Sequence, residues 1–80
     1  MSLDIYPVGI IGGGAWGTAL AAVMAQVHDH VLLWAREEDV ARSVNARHEN
    51  AIFLPGTALS PRIEATADLT RMEKCGALLS

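Results

Sequence analysis

The amino-acid sequence predicts an α/β fold in which helices flank a parallel β-sheet. Two runs of branched and apolar residues, Val8–Ile11 and Val31–Trp34, are separated by a stretch of helix-forming residues. Neither run alternates apolar with polar residues, and uninterrupted apolar runs are typical of parallel strands that are covered on both faces. A strand, a helix and a second strand in this order predict a βαβ unit with a right-handed crossover.

The segment between these strands predicts a buried helix. The first strand ends in three consecutive glycines, and residues 15–27 are helix formers that are apolar on nearly every face. This pattern is typical of a helix enclosed between a sheet and other elements. Apolar residues also make up 51% of the 80 residues, which is rich for a chain that would bury little more than about 60% of its unfolded surface. Part of this apolar surface is therefore expected to contact a partner.

Residues 35–50 predict the next helix. Acidic residues fall in its first turn and arginines come later, which matches the helix dipole, and two valines four residues apart mark an inner face. The residues concerned are Glu37, Glu38, Asp39, Arg42, Arg47, Val40 and Val44.

The last third of the chain predicts a loop, two short strands and one short helix. "FLPGTALSP" is a loop because of its prolines and glycine, and "RIEAT" contains a brief strand at residues 63–65. Asp68 is placed to cap a helix over Leu69–Lys74, and "ALLS" at 77–80 begins another strand. We expect the first strand to lie inside the sheet, with 77–80 on its free side. Since that strand has no turn after it, we expect the chain to be part of a larger domain.

Composition and charge disfavour two classes of partner. The net charge is −3 and the arginines are scattered, so no basic stripe is available for a nucleic acid. Residues 5–28 carry no Asp, Glu, Lys or Arg and are long enough to span a bilayer. However, the residues before this stretch include Asp4 and no basic residue, which disfavours a signal segment. Pro7 and five glycines interrupt the stretch, which disfavours a membrane span.

The sequence carries little sign of metal or thiol chemistry. His28 and His30 have no Cys or carboxylate cluster nearby, and "HENAI" lacks the second histidine of a zinc-protease helix, so no metal site is expected. Cys75 is the only cysteine, which excludes an internal disulfide and fits a reducing compartment. A buried structural thiol is the expected role of Cys75.

The glycine cluster predicts a dinucleotide site. Gly12, Gly14 and Gly17 follow the G-x-G-x-x-G spacing between a predicted strand and a predicted helix. In this motif the first glycine allows a sharp turn, the second lets a pyrophosphate approach the backbone, and the third lets the helix pack closely on the strand. The amides of the first helical turn then face the anion. The sequence therefore predicts a Rossmann-type fold, with residues 1–80 as the amino-terminal part of an NAD(P)-binding domain.

Two further residues bear on this predicted site. Trp16 lies in the phosphate turn, where two roles are open to it, singly or together: packing at the helix start, and forming a wall of the site with its amide facing the cofactor. About 20 residues after the glycines, an acidic residue would bind the ribose of NAD; this chain has Arg36 there. An arginine pairs with a 2′-phosphate, so NADP(H) is favoured, and NAD(H) stays possible if Glu37 rotates in.

Four blocks of the sequence resemble one enzyme family. "IGGGAWGTALA", "VLLWAR", "HENAIFLPG" and "IEATADL" occur in the order and spacing seen in the NAD(P)-dependent glycerol-3-phosphate dehydrogenases. The resemblance covers nearly the whole chain, and the third block has no general dinucleotide-binding rationale. It implies a cytoplasmic oxidoreductase of phospholipid precursor synthesis that reduces dihydroxyacetone phosphate to sn-glycerol 3-phosphate. It also implies cofactor contacts at Ala15, Trp16 and Arg36, and at Phe53, the aromatic position of the third block.

The same resemblance implies what these 80 residues lack. Family members exceed 300 residues, and the lysine that assists carbonyl reduction, the rest of the cofactor domain and the carboxy-terminal substrate domain would follow Ser80. No catalytic residue is therefore assigned, and the 80 residues alone are expected to be inactive. The oligomeric state stays open, with a homodimer possible.

Two alternatives are kept beside this interpretation. Another two-domain Rossmann reductase, of the 2-hydroxyacid or ketopantoate type, would share the glycines but has no reason to carry "HENAIFLPG". A nucleotide-binding module without catalysis would share the glycines as well, and a reading frame that continues past Ser80 would count against it.

Overall fold

The computed structural model describes residues 6–79, apart from the side chain of Lys74. The elements in chain order are β1 (Val8–Ile11), α1 (Ala15–Met24), β2 (Val31–Trp34), α2 (Glu38–Arg47), β3 (Ile63–Thr66), a 3-10 helix (Leu69–Lys74) and β4 (Leu78–Leu79). Each predicted strand and helix is present, so the predicted α/β fold class is confirmed.

The four strands form one parallel sheet in the order β3-β2-β1-β4. Val8 pairs with Val31 in β2, and Gly9 pairs with Leu78 in β4. The predicted arrangement, with the first strand inside and the last strand on its free side, is confirmed. Ser80, which belongs to the predicted strand 77–80, lies outside the described residues.

Helices cover both faces of the sheet, as the uninterrupted apolar strands predict. On one face, Val8 and Ile10 of β1 pack with residues of α1 and α2, including Ala21 and Val44. On the other face, Leu32 packs against Met72 of the 3-10 helix. The chain therefore crosses to the opposite face between β3 and β4, and the strand order reverses beside β1. In open α/β sheets, such a reversal marks the edge where ligands bind.

Helix α1 is shorter than predicted and is covered on one side only. It ends at Met24 rather than near residue 27, because the amides that follow bond to carbonyls three residues back instead of four. Gln26 N–H donates to the Val23 carbonyl at 3.1 Å and Val27 N–H to that of Met24 at 3.1 Å. Its outer face carries Trp16 and Val23, which are exposed. The enclosure predicted for this helix is therefore not provided by residues 6–79.

Helix α2 is also shorter than the predicted segment 35–50. Ala35 N–H donates to the Thr66 carbonyl at 2.9 Å, so residue 35 is hydrogen-bonded to β3 and lies outside the helix. At the other end, His48 adopts a left-handed conformation with φ 54°, which stops the helix after Arg47. The predicted inner face is confirmed, since Val40 and Val44 are both fully buried.

A polar cluster fastens the 3-10 helix to the sheet. The Tyr6 hydroxyl donates to Glu64 Oε1 at 2.6 Å, and Arg71 Nη2 donates to Glu64 Oε2 at 2.7 Å and to the Tyr6 oxygen at 2.9 Å. The helix itself starts at the predicted cap, because the Asp68 carboxylate accepts the Thr70 N–H at 3.0 Å. Cys75, just after this helix, is half-buried, and burial raises the pKa of its thiol.

The cluster also changes how its members titrate. Partial burial by itself would raise the pKa of Glu64, but the hydrogen bonds from Tyr6 and Arg71 and the charge of Arg71 outweigh it and lower that pKa. Burial and the hydrogen bond to Glu64 raise the pKa of Tyr6. Because its folded-state pKa lies below the ordinary value of 4.5, ionised Glu64 stabilises the fold above that value, and this stabilisation is lost as the pH falls through the lowered pKa.

We expect the stability of the wild type to fall more steeply than that of Glu64→Gln as the pH falls below 4.5 and through the lowered pKa at which the Glu64 carboxylate is protonated. Thermal unfolding followed by circular dichroism at a series of pH values measures this difference. Glu73→Gln is the matched control, because Glu73 is an exposed glutamate on the same 3-10 helix, and its curve should run parallel to the wild type. Parallel curves for all three proteins would contradict the role given to Glu64.

Candidate functional site

The turn between β1 and α1 depends on two glycines in different ways. Gly12 N–H donates to the Trp34 carbonyl at 2.9 Å, and the chain then turns at φ 122°, a conformation that residues with a Cβ rarely adopt. A Cβ at Gly17 would collide with the carbonyl oxygen of Gly12. The first turn of α1 can therefore lie directly on the end of β1 only because both positions lack a side chain.

Gly14 has a different environment, because it faces open space. It precedes α1 in an extended conformation with φ −73°, and a Cβ built on it would meet no atom within 4 Å. No side chain caps the helix at Gly14, and the first turn holds no acidic residue. The first amides of a helix have no carbonyl partner within the helix, so this end presents N–H donors and a positive dipole to an approaching anion.

A cleft of about 330 Å³ opens at the carboxyl ends of β1 and β2, beside this turn. Its lining residues are Gly12, Gly13, Gly14, Trp34, Arg36, Glu37 and Phe53. The structure thus brings together four of the predicted site residues, Gly12, Gly14, Arg36 and Phe53, although Phe53 is 17 or more positions away from the others in the sequence.

Three predicted site residues, Ala15, Trp16 and Gly17, form the first turn of α1 and do not line the cleft. The Trp16 side chain is 75% exposed. Of the two roles predicted for Trp16, packing at the helix start is therefore not seen within residues 6–79.

Two residues of opposite charge line the cleft just after β2. Arg36 and Glu37 follow β2 and are both exposed, and within residues 6–79 neither has an ion-pair partner inside 4 Å. The guanidinium of Arg36 is consequently available to an anionic ligand, and the Glu37 carboxylate to a hydroxyl donor. The cleft thus holds a residue for each form of the ribose end of a dinucleotide: an arginine for a 2′-phosphate and a glutamate for free ribose hydroxyls.

Asn50 belongs to the site, and sequence reasoning assigned it no role. It is fully buried, and its Nδ2 donates to the Gly13 carbonyl at 2.8 Å and to Thr18 Oγ1 at 2.8 Å. Its Oδ1 accepts the N–H of Phe53 at 3.0 Å. The only signal for Asn50 in the sequence is its place in the "HENAIFLPG" block. Its burial, which an asparagine seldom shows unless its amide is hydrogen-bonded, is visible only in the structure.

The described residues contain neither a candidate metal site nor a candidate membrane span. Within the part of the chain that the structure describes, no group of three or more His, Cys, Asp and Glu residues could hold a metal ion. No helix in residues 6–79 combines the length and the apolar character needed to cross a bilayer.

Comparison with known proteins identifies the family. A model described as the NAD-dependent glycerol-3-phosphate dehydrogenase N-terminus matches residues 7–79. The chain belongs to this family.

Relatives in the glycerol-3-phosphate dehydrogenase family are similar over nearly the whole chain. The NAD(P)+ glycerol-3-phosphate dehydrogenase of Parvibaculum lavamentivorans is 48% identical over 79 residues, which cover 99% of this chain and 24% of that protein. The enzyme of the same name from Rhodospirillum rubrum is 58% identical over 69 residues, or 86% of this chain and 20% of that protein. The chain thus spans less than a quarter of the length of these two relatives.

Solved structures of the family share the fold. The crystal structure of glycerol-3-phosphate dehydrogenase from Coxiella burnetii matches with a TM-score of 0.79 at 33% identity, over 94% of this chain and 23% of the other. The enzyme from Saccharomyces cerevisiae matches with a TM-score of 0.76 at 32% identity, over 85% and 23%. The Rossmann-type arrangement of the sheet is therefore that of the family.

We expect Gly17→Ala to lower the free energy of unfolding by about 1–3 kcal/mol, because the new methyl group would press on the Gly12 carbonyl. Gly14→Ala should change it by less than about 0.5 kcal/mol, since its Cβ enters open space at an ordinary φ. Urea denaturation of both variants measures the difference. Equal losses would mean that Gly14, too, is required for packing.

Proposed function

We propose that this chain is the amino-terminal, cofactor-holding part of an NAD(P)-dependent glycerol-3-phosphate dehydrogenase. Its substrates in the complete enzyme are dihydroxyacetone phosphate and sn-glycerol 3-phosphate. Membership of the family supports this, and so does the share of 20–24% that the chain covers in its relatives. The observation that carries the proposal is the open glycine turn at an uncapped helix N-terminus, which shares one cleft with Arg36.

The chain's own residues fit a dinucleotide. The amides of Ala15 and Trp16, in the first turn of α1, would donate to the pyrophosphate, and the bare backbone of Gly14 would let it approach. Gly12 and Gly17 hold this turn in shape, and Phe53 lines the same cleft. When bound, a nicotinamide cofactor would supply the hydride, and these residues would hold and orient it.

We propose further that NADP(H) is preferred over NAD(H). Arg36 lines the cleft without an ion-pair partner within residues 6–79, and a guanidinium matches the geometry of a phosphate. Glu37 lies beside it and is the residue that would serve the ribose hydroxyls of NAD(H). A cytoplasmic location is part of the proposal, because a single cysteine fits a reducing compartment.

A chimera tests the proposed function, with this chain in place of the matching segment of the Rhodospirillum rubrum relative. We expect the chimera to bind NADPH and to reduce dihydroxyacetone phosphate with it, as followed by NADPH absorbance. A folded chimera that binds neither NADPH nor NADH would overturn the proposal.

Gly14→Val in the chimera should weaken NADPH binding strongly, because the branched side chain occupies the space that the pyrophosphate needs. Its melting temperature should change far less, because a Cβ at Gly14 meets no protein atom within 4 Å. Fluorescence titration with NADPH and thermal unfolding give the two values. Comparable losses of affinity and stability would assign Gly14 a structural role instead.

Arg36→Ala should raise the Kd for NADPH by about ten- to a hundredfold, the range expected for a charge-assisted hydrogen bond, and leave that for NADH nearly unchanged. The difference should shrink as salt is added, because Arg36 is exposed. Arg42→Ala is the matched control, since Arg42 is an exposed arginine that does not line this cleft. An equal loss for NADPH and NADH would contradict pairing with the 2′-phosphate.

A further inference from the structure

The loop that follows α2 carries one wall of the cleft, and Asn50 holds it in place. Leu54 N–H donates to the backbone carbonyl of Asn50 at 2.9 Å, while the Asn50 side-chain carbonyl accepts the amides of Ile52 at 3.3 Å and Phe53 at 3.0 Å. One residue thus closes the whole turn from 50 to 54. Among the hydrogen bonds of the described residues, the Phe53 amide has this partner alone.

The other half of the same side chain contacts the glycine turn. Its amide nitrogen uses one hydrogen for the Gly13 carbonyl and the other for the Thr18 hydroxyl, both at 2.8 Å. Gly13 stands between Gly12 and Gly14, and Thr18 is buried on the inner face of α1. Asn50 therefore joins the two walls of the cleft through a single rigid amide.

We propose that Asn50 is a positioning residue for the dinucleotide: it sets the separation between Phe53 and the glycine turn, so that both contact the cofactor at once. This inference rests on the proposed function. Phe53 is 42% exposed, so packing alone restrains it weakly, and its amide is tied to the glycine turn only through Asn50.

The chemistry of the position requires an amide. It needs one hydrogen donor for the Gly13 carbonyl, a second for the Thr18 hydroxyl and one acceptor for the amides of the loop. The short asparagine side chain supplies all of them. A carboxylate at the same place would keep the acceptor but would face the Gly13 carbonyl with negative charge. An alanine would leave the buried Gly13 carbonyl with only the longer bond of 3.4 Å from the Thr18 hydroxyl, and would take from the Phe53 N–H its acceptor.

A double-mutant cycle in the chimera tests the proposal, with NADPH as the ligand. Asn50→Ala and Phe53→Ala should each weaken NADPH binding by roughly tenfold, and the double variant should be little weaker than either single variant. Such non-additivity is expected only if Asn50 acts on the cofactor through Phe53. An asparagine that acts on the cofactor independently of Phe53 would give additive losses of affinity, and a purely structural one would lower the melting temperature and leave the Kd unchanged; either result would overturn the proposal.

Asn45→Ala is the matched control. Asn45 also joins two elements through its amide, donating to the Ala65 carbonyl at 2.8 Å and accepting the Ala65 N–H at 2.8 Å, but it does not line the cleft. This variant should lower the melting temperature and leave the Kd for NADPH unchanged. Melting temperatures of all variants separate loss of stability from loss of affinity.

A gentler variant covers the case in which Asn50→Ala does not fold. Thr18→Val removes one acceptor of the Asn50 amide and keeps the shape of the side chain. It should weaken NADPH binding by about threefold, at the lower end of what the loss of one hydrogen bond gives, and this effect should disappear in the Phe53→Ala background.

The possible results separate this inference from the proposed function. If the chimera binds NADPH, and the losses caused by Asn50→Ala or Thr18→Val are additive with that of Phe53→Ala, the inference is overturned and the proposed function stands. If the unaltered chimera binds neither NADPH nor NADH, both are overturned. A coupled loss of affinity that Asn45→Ala does not reproduce supports the inference.

Discussion

The contact between the first turn of α1 and the end of β1 is the constraint on which the rest of the structure depends. The chain leaves β1, reverses at Gly12 with φ 122°, and returns so closely that Gly17 has no room for a side chain. This approach brings the start of α1 to the carboxyl edge of the sheet. The glycines that lead into that helix and the end of β2 consequently line the same cleft.

A tight turn of this kind leaves a buried carbonyl that needs a donor, and Asn50 meets that need. The Gly13 carbonyl accepts the Asn50 amide at 2.8 Å, so the loop after α2 is held against the turn. A requirement of backbone hydrogen bonding thereby places Phe53 in the same cleft as the glycines. On the other face of the sheet, the bonds of Glu64 to Tyr6 and Arg71 hold the 3-10 helix and have no part in the cleft.

Local patterns predicted most of the elements, because the residues concerned act through their own backbone or their nearest neighbours. The uninterrupted apolar run Val31–Trp34 indicates a buried strand by its own residues, and Asp68 caps the helix that begins at the next residue. The ends of α1 and α2 were predicted less well. Ala35 bonds to Thr66 of β3 instead of joining the helix, so the start of the helix depends on a residue 31 positions away.

The sequence by itself determined the sheet, the glycine turn, the position of Arg36 after β2 and, through its four blocks, the family. Each of these depends on residues within one element or on their order along the chain. Only the tertiary structure decided that Phe53 shares a cleft with the glycines, that Trp16 is left exposed within residues 6–79, and that Asn50 joins the two walls. The physical reason is that a buried amide takes its partners from whatever the fold brings near, and Gly13 lies 37 positions from Asn50.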